Sequence, residues 1–258
     1  MHITVVGATG MIGARISAAL EGRGHHVTRA SRSTGVDVMN DVQLREAFQG
    51  AAVVVDCLNI ETIRARTSRE FFTNAARKVA AAAHSAGVQR IVCVSIAGAT
   101  DPDVNRLFGY YKGKAAQEQT YRQSPVPVTV IHSTQWYELM DNIVRRSTVG
   151  PLTVLPTMKM AALAAERAAA IIAEDIDSSA ADTADRNLAI RGPEVMTALQ
   201  LCRAILAHRG NIGGYQPRLM VQLPYVGRGI ATGGLIPDHG IVDNLTVERW
   251  LDSTEGTA

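Results

Sequence analysis

The sequence lacks most of what would place it outside the ordinary globular classes. No apolar run reaches the ~18 residues that a membrane-spanning helix needs, so an integral membrane protein is not expected. The net charge is only +2, too small to make nucleic acid or a membrane surface the main partner. There are three cysteines, Cys57, Cys93 and Cys202, widely spaced and without metal-like pairing. They read as small buried thiols in a reduced, cytoplasmic protein. The seven histidines show no ligand spacing, and no metal is expected. The first strand starts at His2 and a turn follows at once, a pattern unlike a signal peptide. Internal repeats are missing, as is any linker polar enough to separate two independently folding domains.

What is present is a regular alternation of strand and helix patterns. With 258 residues, 47% hydrophobic and 19% charged, the chain can bury a sizeable core. Expected strands are 2–6, 25–29, 35–38, 52–56, 90–94 and 128–132. Val53, Val54 and Val55 form the continuous apolar run of a strand covered on both faces. Asp41 is the expected N-cap of a helix carrying Leu44 and Phe48. A long helix over 66–86 is expected to bury Phe71, Phe72, Ala75, Val79 and Ala82 and to stop at Gly87. Another is expected over 113–123. Such repetition implies an α/β fold, a Rossmann-type doubly wound parallel sheet with ligands at the carboxyl ends of its strands. The second half is less regular, with helices at 161–174, 193–208 and 245–251 and a strand at 187–190. The expectation is one domain over 1–258, its core at 1–155 and a small substrate-side lobe at 156–258.

The richest motif is Gly7-Ala8-Thr9-Gly10-Met11-Ile12-Gly13, between the first strand and the first helix. Gly7 permits the tight turn, Gly10 lets backbone approach a pyrophosphate, and Gly13 allows close strand–helix packing. The N–H groups of Met11 and Ile12 would face the phosphates with the helix dipole behind them. After the second strand, Arg29-Ala30-Ser31-Arg32-Ser33 contains no acid to bind a ribose 2′-hydroxyl. Arg32 and Ser31 could instead hold a 2′-phosphate, favouring NADP(H) over NAD(H); a solvated surface arginine is the alternative. Asp37 could accept from the adenine amino group while Val38 packs on the ring; a plain turn aspartate is the alternative. Cys57, Leu58 and Asn59, in the loop after the valine strand, are further candidates for the cofactor.

Ser95 ends the run Ile91-Val92-Cys93-Val94, and Tyr110 and Lys114 follow in Tyr110-Tyr111-Lys112-Gly113-Lys114. On a helix, positions i and i+4 share a face, so the ammonium would favour the phenolate and lower the tyrosine pKa. A chance surface Tyr/Lys pair is the alternative, and Gly113 between them weakens a helix. Met158 and Met160 read as core or pocket wall, and Tyr137 as a pocket residue.

The glycine turn, Ser95, Tyr110-x-x-x-Lys114 and the Ser133-Thr134-Gln135-Trp136 stretch resemble the short-chain dehydrogenases/reductases, and more closely their atypical, NmrA-like NAD(P)-binding branch. The resemblance covers roughly 1–175, and His132 and Trp136 stand where relatives have arginine and phenylalanine. It implies that Ser133 and Thr134 join Lys114 in binding the dinucleotide, and that Ser95, Tyr110 and Lys114 are catalytic. The implied activity is NADP(H)-dependent reduction of a small carbonyl or conjugated compound. Because the branch includes members that bind cofactor without catalysis, an NmrA-type redox sensor is the alternative, and a cofactor-retaining isomerase or epimerase a third. Partners would be a small-molecule substrate and, through the helices at 66–86 and 113–123, a second copy of the chain.

Overall fold

The computed structural model describes residues 1–62, 64–179 and 184–253. Seven strands form the main sheet: β1 (His2–Val6), β2 (His26–Ala30), β3 (Val53–Asp56), β4 (Arg90–Ile96), β5 (Val128–Ser133), β6 (Arg186–Arg191) and β7 (Ile241–Val242). Their order is β7-β6-β5-β4-β3-β1-β2, and the β1–β2, β1–β3, β3–β4 and β6–β7 pairs are parallel. The longer helices are α1 (Met11–Gly22), α2 (Asp41–Ala47), α3 (Ala65–Ser85), α4 (Gly109–Tyr121), α5 (Leu139–Ser147), α6 (Ala165–Ser178), α7 (Ala198–Arg209) and α8 (Val247–Asp252). The expected Rossmann-type α/β fold is what the chain adopts.

Two compact units interleave along the sequence. The first comprises Met1–Ser95, Phe108–His132 and Ala168–Leu188, and the second Ile96–Leu107, Ser133–Arg167 and Ala189–Ala258. The expected boundary at 155/156 falls inside the second unit's middle segment. In the first unit, Val6, Leu44, Phe48, Val54, Val79, Ile91 and Tyr121 belong to one buried cluster. Each such fully buried apolar side chain contributes roughly 1.5–3 kcal/mol relative to exposure. In the second unit, Thr148–Val149, Leu152–Pro156 and Leu219–Leu223 form a small sheet of their own.

Several local expectations are corrected. Residues 35–38 form no strand, which leaves β2 at the sheet edge. Local polar bonds outcompete a ladder here. Ser31 and Thr34 make a reciprocal capping box, Gly35 turns the chain at φ 86°, and the Asp37 carboxylate accepts the Met39 N–H. Asn40, not Asp41, caps α2, accepting from the N–H groups of Val42 and Gln43. Phe71 is only half-buried, whereas Phe72, Ala75, Val79 and Ala82 are buried as expected. The helix expected from residue 113 starts four residues earlier, at Gly109, so Tyr110 and Lys114 both lie on it. Gly113 does not loosen that helix. A Cβ there would sit 2.0 Å from Ser68 Oγ and 2.7 Å from Phe72 Cδ2, so glycine is what lets α4 close on α3.

Candidate cofactor and active site

The glycine turn has the form that its spacing requires. Gly7 takes φ +76°, and a Cβ on it would meet the Cys57 carbonyl oxygen at 2.8 Å. A Cβ on Gly13 would lie 2.2 Å from Gly7 O. These two glycines are fixed by backbone crowding. Gly10 is different: it is exposed, and a Cβ on it would meet only Gly7 O, at 3.3 Å. Gly10 is also the N-cap of α1, which no side chain caps and whose first turn holds no acid. The positive end of the helix dipole is therefore presented over a glycine backbone. The turn is bonded to β2 through Gly7 N–H and Ala30 O at 2.8 Å, and Ser33 Oγ reaches Thr9 Oγ1 at 3.5 Å.

Ser31 is buried, with its Oγ 2.9 Å from Ser33 Oγ, while Arg32 and Asp37 are exposed. The neighbouring Arg29 is held by both carboxylate oxygens of Glu21, at 2.8 and 2.9 Å, which leaves Arg32 as the guanidinium of this loop without that clamp. Val38 is buried in the core cluster with Leu44 and Phe48. The Cys57 N–H donates to Val6 O at 2.9 Å, and burial pushes its thiol well up, away from the reactive thiolate. Leu58 N–H donates to Asp56 Oδ1 at 2.8 Å, and Asn59 is exposed just beyond it.

Lys114 is buried, and its ammonium turns inward. Nζ donates to Val94 O at 2.8 Å and to Gln117 Oε1, and it lies 4.9 Å from the centre of the Phe72 ring. Gln117 Nε2 passes the link on to Asp56 Oδ2 at 2.7 Å, an oxygen that also accepts from the Tyr121 hydroxyl at 2.6 Å. An amide thus bridges a buried cation and a buried carboxylate, so both charges are solvated by charge-assisted hydrogen bonds. Ser95, equally buried, donates to Glu118 Oε1. Glu118 Oε2 lies 3.2 Å from His132 Nε2 and 3.9 Å from the Arg122 guanidinium.

Tyr110 departs from expectation. Its ring packs edge-on against Phe72 and Tyr111, at 5.8 and 6.0 Å between centroids. Burial, then the neighbouring Tyr111, pushes its phenol up rather than down. The physical reason is that the ring is buried against Phe72 and Tyr111, where an ionised phenolate would lose its hydration, while the Lys114 ammonium points to Val94 O and Gln117 Oε1 instead.

The first unit therefore brings together the glycine turn, the Asp56–Cys57 corner, Ser95 and Lys114. Ser133 and Thr134 belong to the second unit, where internal bonds occupy them. Ser133 Oγ donates to Thr134 O and accepts from Trp136 Nε1, at 2.9 and 3.1 Å. Thr134 gives its N–H to Ile190 O and its hydroxyl to Ala161 O, at 3.0 and 2.7 Å. Tyr137 is fully buried against Trp250, its hydroxyl bonded to Leu245 O, so it is core rather than pocket lining. Met158 and Met160 are also core. Among the described residues no cluster of His, Cys, Asp or Glu could hold a metal, and no helix is long and apolar enough to cross a membrane.

Sequence reasoning missed Asp56, Gln117, Glu118 and Tyr121. A signal existed: Lys114, Gln117, Glu118 and Tyr121 recur at i, i+3, i+4 and i+7, a polar stripe on a buried helix face. Asp56 is likewise a charge closing an all-apolar strand.

The profile of a family described as NAD(P)H-binding matches residues 7–174. No curated protein matches the sequence. Among solved structures, UDP-glucose 4-epimerase from Bifidobacterium longum in complex with NAD+ and UDP is similar at TM-score 0.76, with 12% identity over 99% of this chain and 97% of that one. A nucleoside-diphosphate-sugar epimerase from Staphylococcus aureus gives TM-score 0.67 and 16% identity, over 98% and 100% of the two chains. A short-chain dehydrogenase/reductase superfamily protein from Agrobacterium tumefaciens with bound NAD gives 0.63 and 16%, over 100% and 92%. At these identities the likeness is one of fold. With a glycine turn between β1 and α1 and a family match across most of its length, the chain belongs to the NAD(P)H-binding family and has the fold of the atypical short-chain dehydrogenases/reductases.

Proposed function

We propose that the protein is an NADP(H)-dependent oxidoreductase that reduces a small carbonyl or conjugated compound in the cytoplasm. The observation that carries this reading is the hydrogen-bonded convergence, in the first unit, of the glycine turn, the Asp56–Cys57 corner, Ser95 and Lys114 at the carboxyl ends of β1, β3 and β4. The open backbone at Gly10 and the N-terminal N–H groups of Met11 and Ile12 would hold the diphosphate. Ser31 and Arg32 would hold a 2′-phosphate, with Thr9, Asp37, Val38, Leu58 and Asn59 around the adenosine half. Lys114 would reach the nicotinamide ribose by releasing Gln117. When bound, the cofactor supplies the hydride, and the protein contributes placement and proton transfer. Ser133 and Thr134 remain candidates through the family resemblance alone.

One observation favours the alternative, a non-catalytic NADP(H) sensor: Tyr110, the expected acid, is held neutral among aromatic rings with its phenol pushed up. An epimerase reading draws on the neighbours whose titles name UDP or UDP-glucose together with NAD. A homo-oligomer is proposed through the outer faces of α3 and α4, since their inner faces meet each other.

Fluorescence titration with NADPH and NADH, followed by a panel of quinones and aldehydes, tests the reading. NADPH should bind at least about tenfold more tightly, and Arg32→Ala should erase that preference while sparing NADH. Tyr110→Phe should cut turnover about 10²–10⁴-fold if the phenol is the acid. Equal affinities refute the cofactor choice. Tight NADPH binding without turnover of any panel member selects the sensor.

A further inference from the structure

Ser95, Glu118 and His132 form a continuous hydrogen-bonded line from the buried end of β4 to the surface. Ser95 is 2% exposed, Glu118 wholly buried, and the His132 side chain 24% exposed. A serine hydroxyl has one proton to give. Here that proton goes to Glu118 Oε1, so Ser95 faces any ligand as an acceptor only. A carbonyl oxygen, itself an acceptor, finds no partner in that arrangement. We propose that Glu118 and His132 are positioning residues that set the hydrogen-bond polarity of Ser95 and carry a proton to it from solvent. This rests on the oxidoreductase reading above.

With Glu118 ionised, Ser95 accepts from the hydroxyl of an alcohol. With Glu118 protonated, its O–H donates to Ser95 Oγ, and the Ser95 O–H is free to donate to a carbonyl. Reduction adds a hydride, with its electron pair, to the carbonyl carbon from the reduced dinucleotide, and the π pair moves onto oxygen. That oxygen takes the Ser95 proton as the Oγ–H bond breaks, a route in which Ser95 and not Tyr110 is the acid. Ser95 recovers a proton from Glu118, Glu118 recovers one from His132 Nε2, and the imidazole recovers one from water. The net uptake is one solvent proton for each alcohol formed. Other groups face the line: the Arg122 guanidinium just past the end of α4, 3.9 Å from Glu118, then Lys114 and Asp56, and the Cys93 thiol, which burial keeps neutral.

His132 reaches solvent, so its role can be supplied from outside. His132→Ala should lower turnover of a quinone or aldehyde by about tenfold or more, and added imidazole should restore it in a dose-dependent way. Glu118→Gln should lower turnover by about 10²-fold and flatten its pH profile, with NADPH affinity held within about twofold. Ser95→Ala should resist imidazole. Unchanged turnover in His132→Ala, or a loss that imidazole leaves in place, overturns the proposal. If wild type reduces no panel member, the oxidoreductase reading fails, and the line is read by infrared spectroscopy of the NADPH-bound protein. A carboxylic C=O band that Glu118→Gln removes should then shift in frequency in both Ser95→Ala and His132→Ala. No such band at any pH, or one indifferent to both variants, overturns the line itself.

Discussion

The glycines at 7, 10 and 13 share one motif, yet the structure separates them into two kinds, and substitution should expose the difference. Gly13→Ala places a Cβ 2.2 Å from Gly7 O and 2.9 Å from Gly7 C. Both are backbone atoms of a turn already held by the Gly7–Ala30 hydrogen bond, so neither can move cheaply. Overpacking of this kind costs about 1–3 kcal/mol and at times more, outweighing the ~1 kcal/mol that alanine gains over glycine inside a helix. At Gly10 the new Cβ meets Gly7 O at 3.3 Å, which a shift of a few tenths of an ångström relieves. The remaining cost is that of alanine as an N-cap, about 1 kcal/mol, or a fall in Tm of roughly 2–4 °C for a chain of this size. The cofactor should reverse the ranking. Gly10→Ala should weaken NADPH by about tenfold or more, equivalent to ~1.4 kcal/mol, and Gly10→Val further still. Urea unfolding and NADPH fluorescence titration on the same samples supply both numbers. A Gly10→Val protein that folds and binds NADPH at near-normal affinity would refute the placement of the diphosphate.

Two further outcomes follow from packing and charge. Gly113→Ala should destabilise the fold by about 1–3 kcal/mol despite better helix propensity, because its Cβ would collide with Ser68 and Phe72 on α3; urea midpoints check this, and a stabilised variant would contradict the close α3–α4 contact. Asp177, on α6, is bonded to Arg23 and His25; burial raises its carboxyl, but the two partners outweigh burial and hold it below the usual range. A depressed folded-state pKa stabilises the fold above the unfolded value of about 3.9 and loses that contribution as pH falls through the folded one. Asp177→Asn should therefore cost up to ~1 kcal/mol near neutrality, the pair being partly exposed, and the gap from wild type should close in strong acid; a gap independent of pH would refute the ion-pair account.

Much of the scaffold was legible because its determinants are local. A β-branched run, three glycines at spacing three and an amphipathic helix specify the β1–turn–α1 corner, since turn conformation and helix start depend on neighbours in sequence. The apolar run at Val53, Val54 and Val55 identifies a strand covered on both faces for the same reason. Where local cues misled, another local interaction won, as when the Ser31–Thr34 box and the Asn40 cap replaced an expected strand at 35–38. The tyrosine and lysine at 110 and 114 were correctly set one turn apart, but spacing along a helix says nothing of what the helix packs against. Only the fold brings Val94 to the ammonium, Phe72 to the phenol and Ser95 to Glu118, across separations of 20 to 38 residues. The sequence by itself determined the β1–turn–α1 corner, because its form is set by one short stretch of backbone. Tertiary structure decided which way each polar side chain of the site gives its proton, because in a buried site a donor's direction is set by the acceptors that packing places around it.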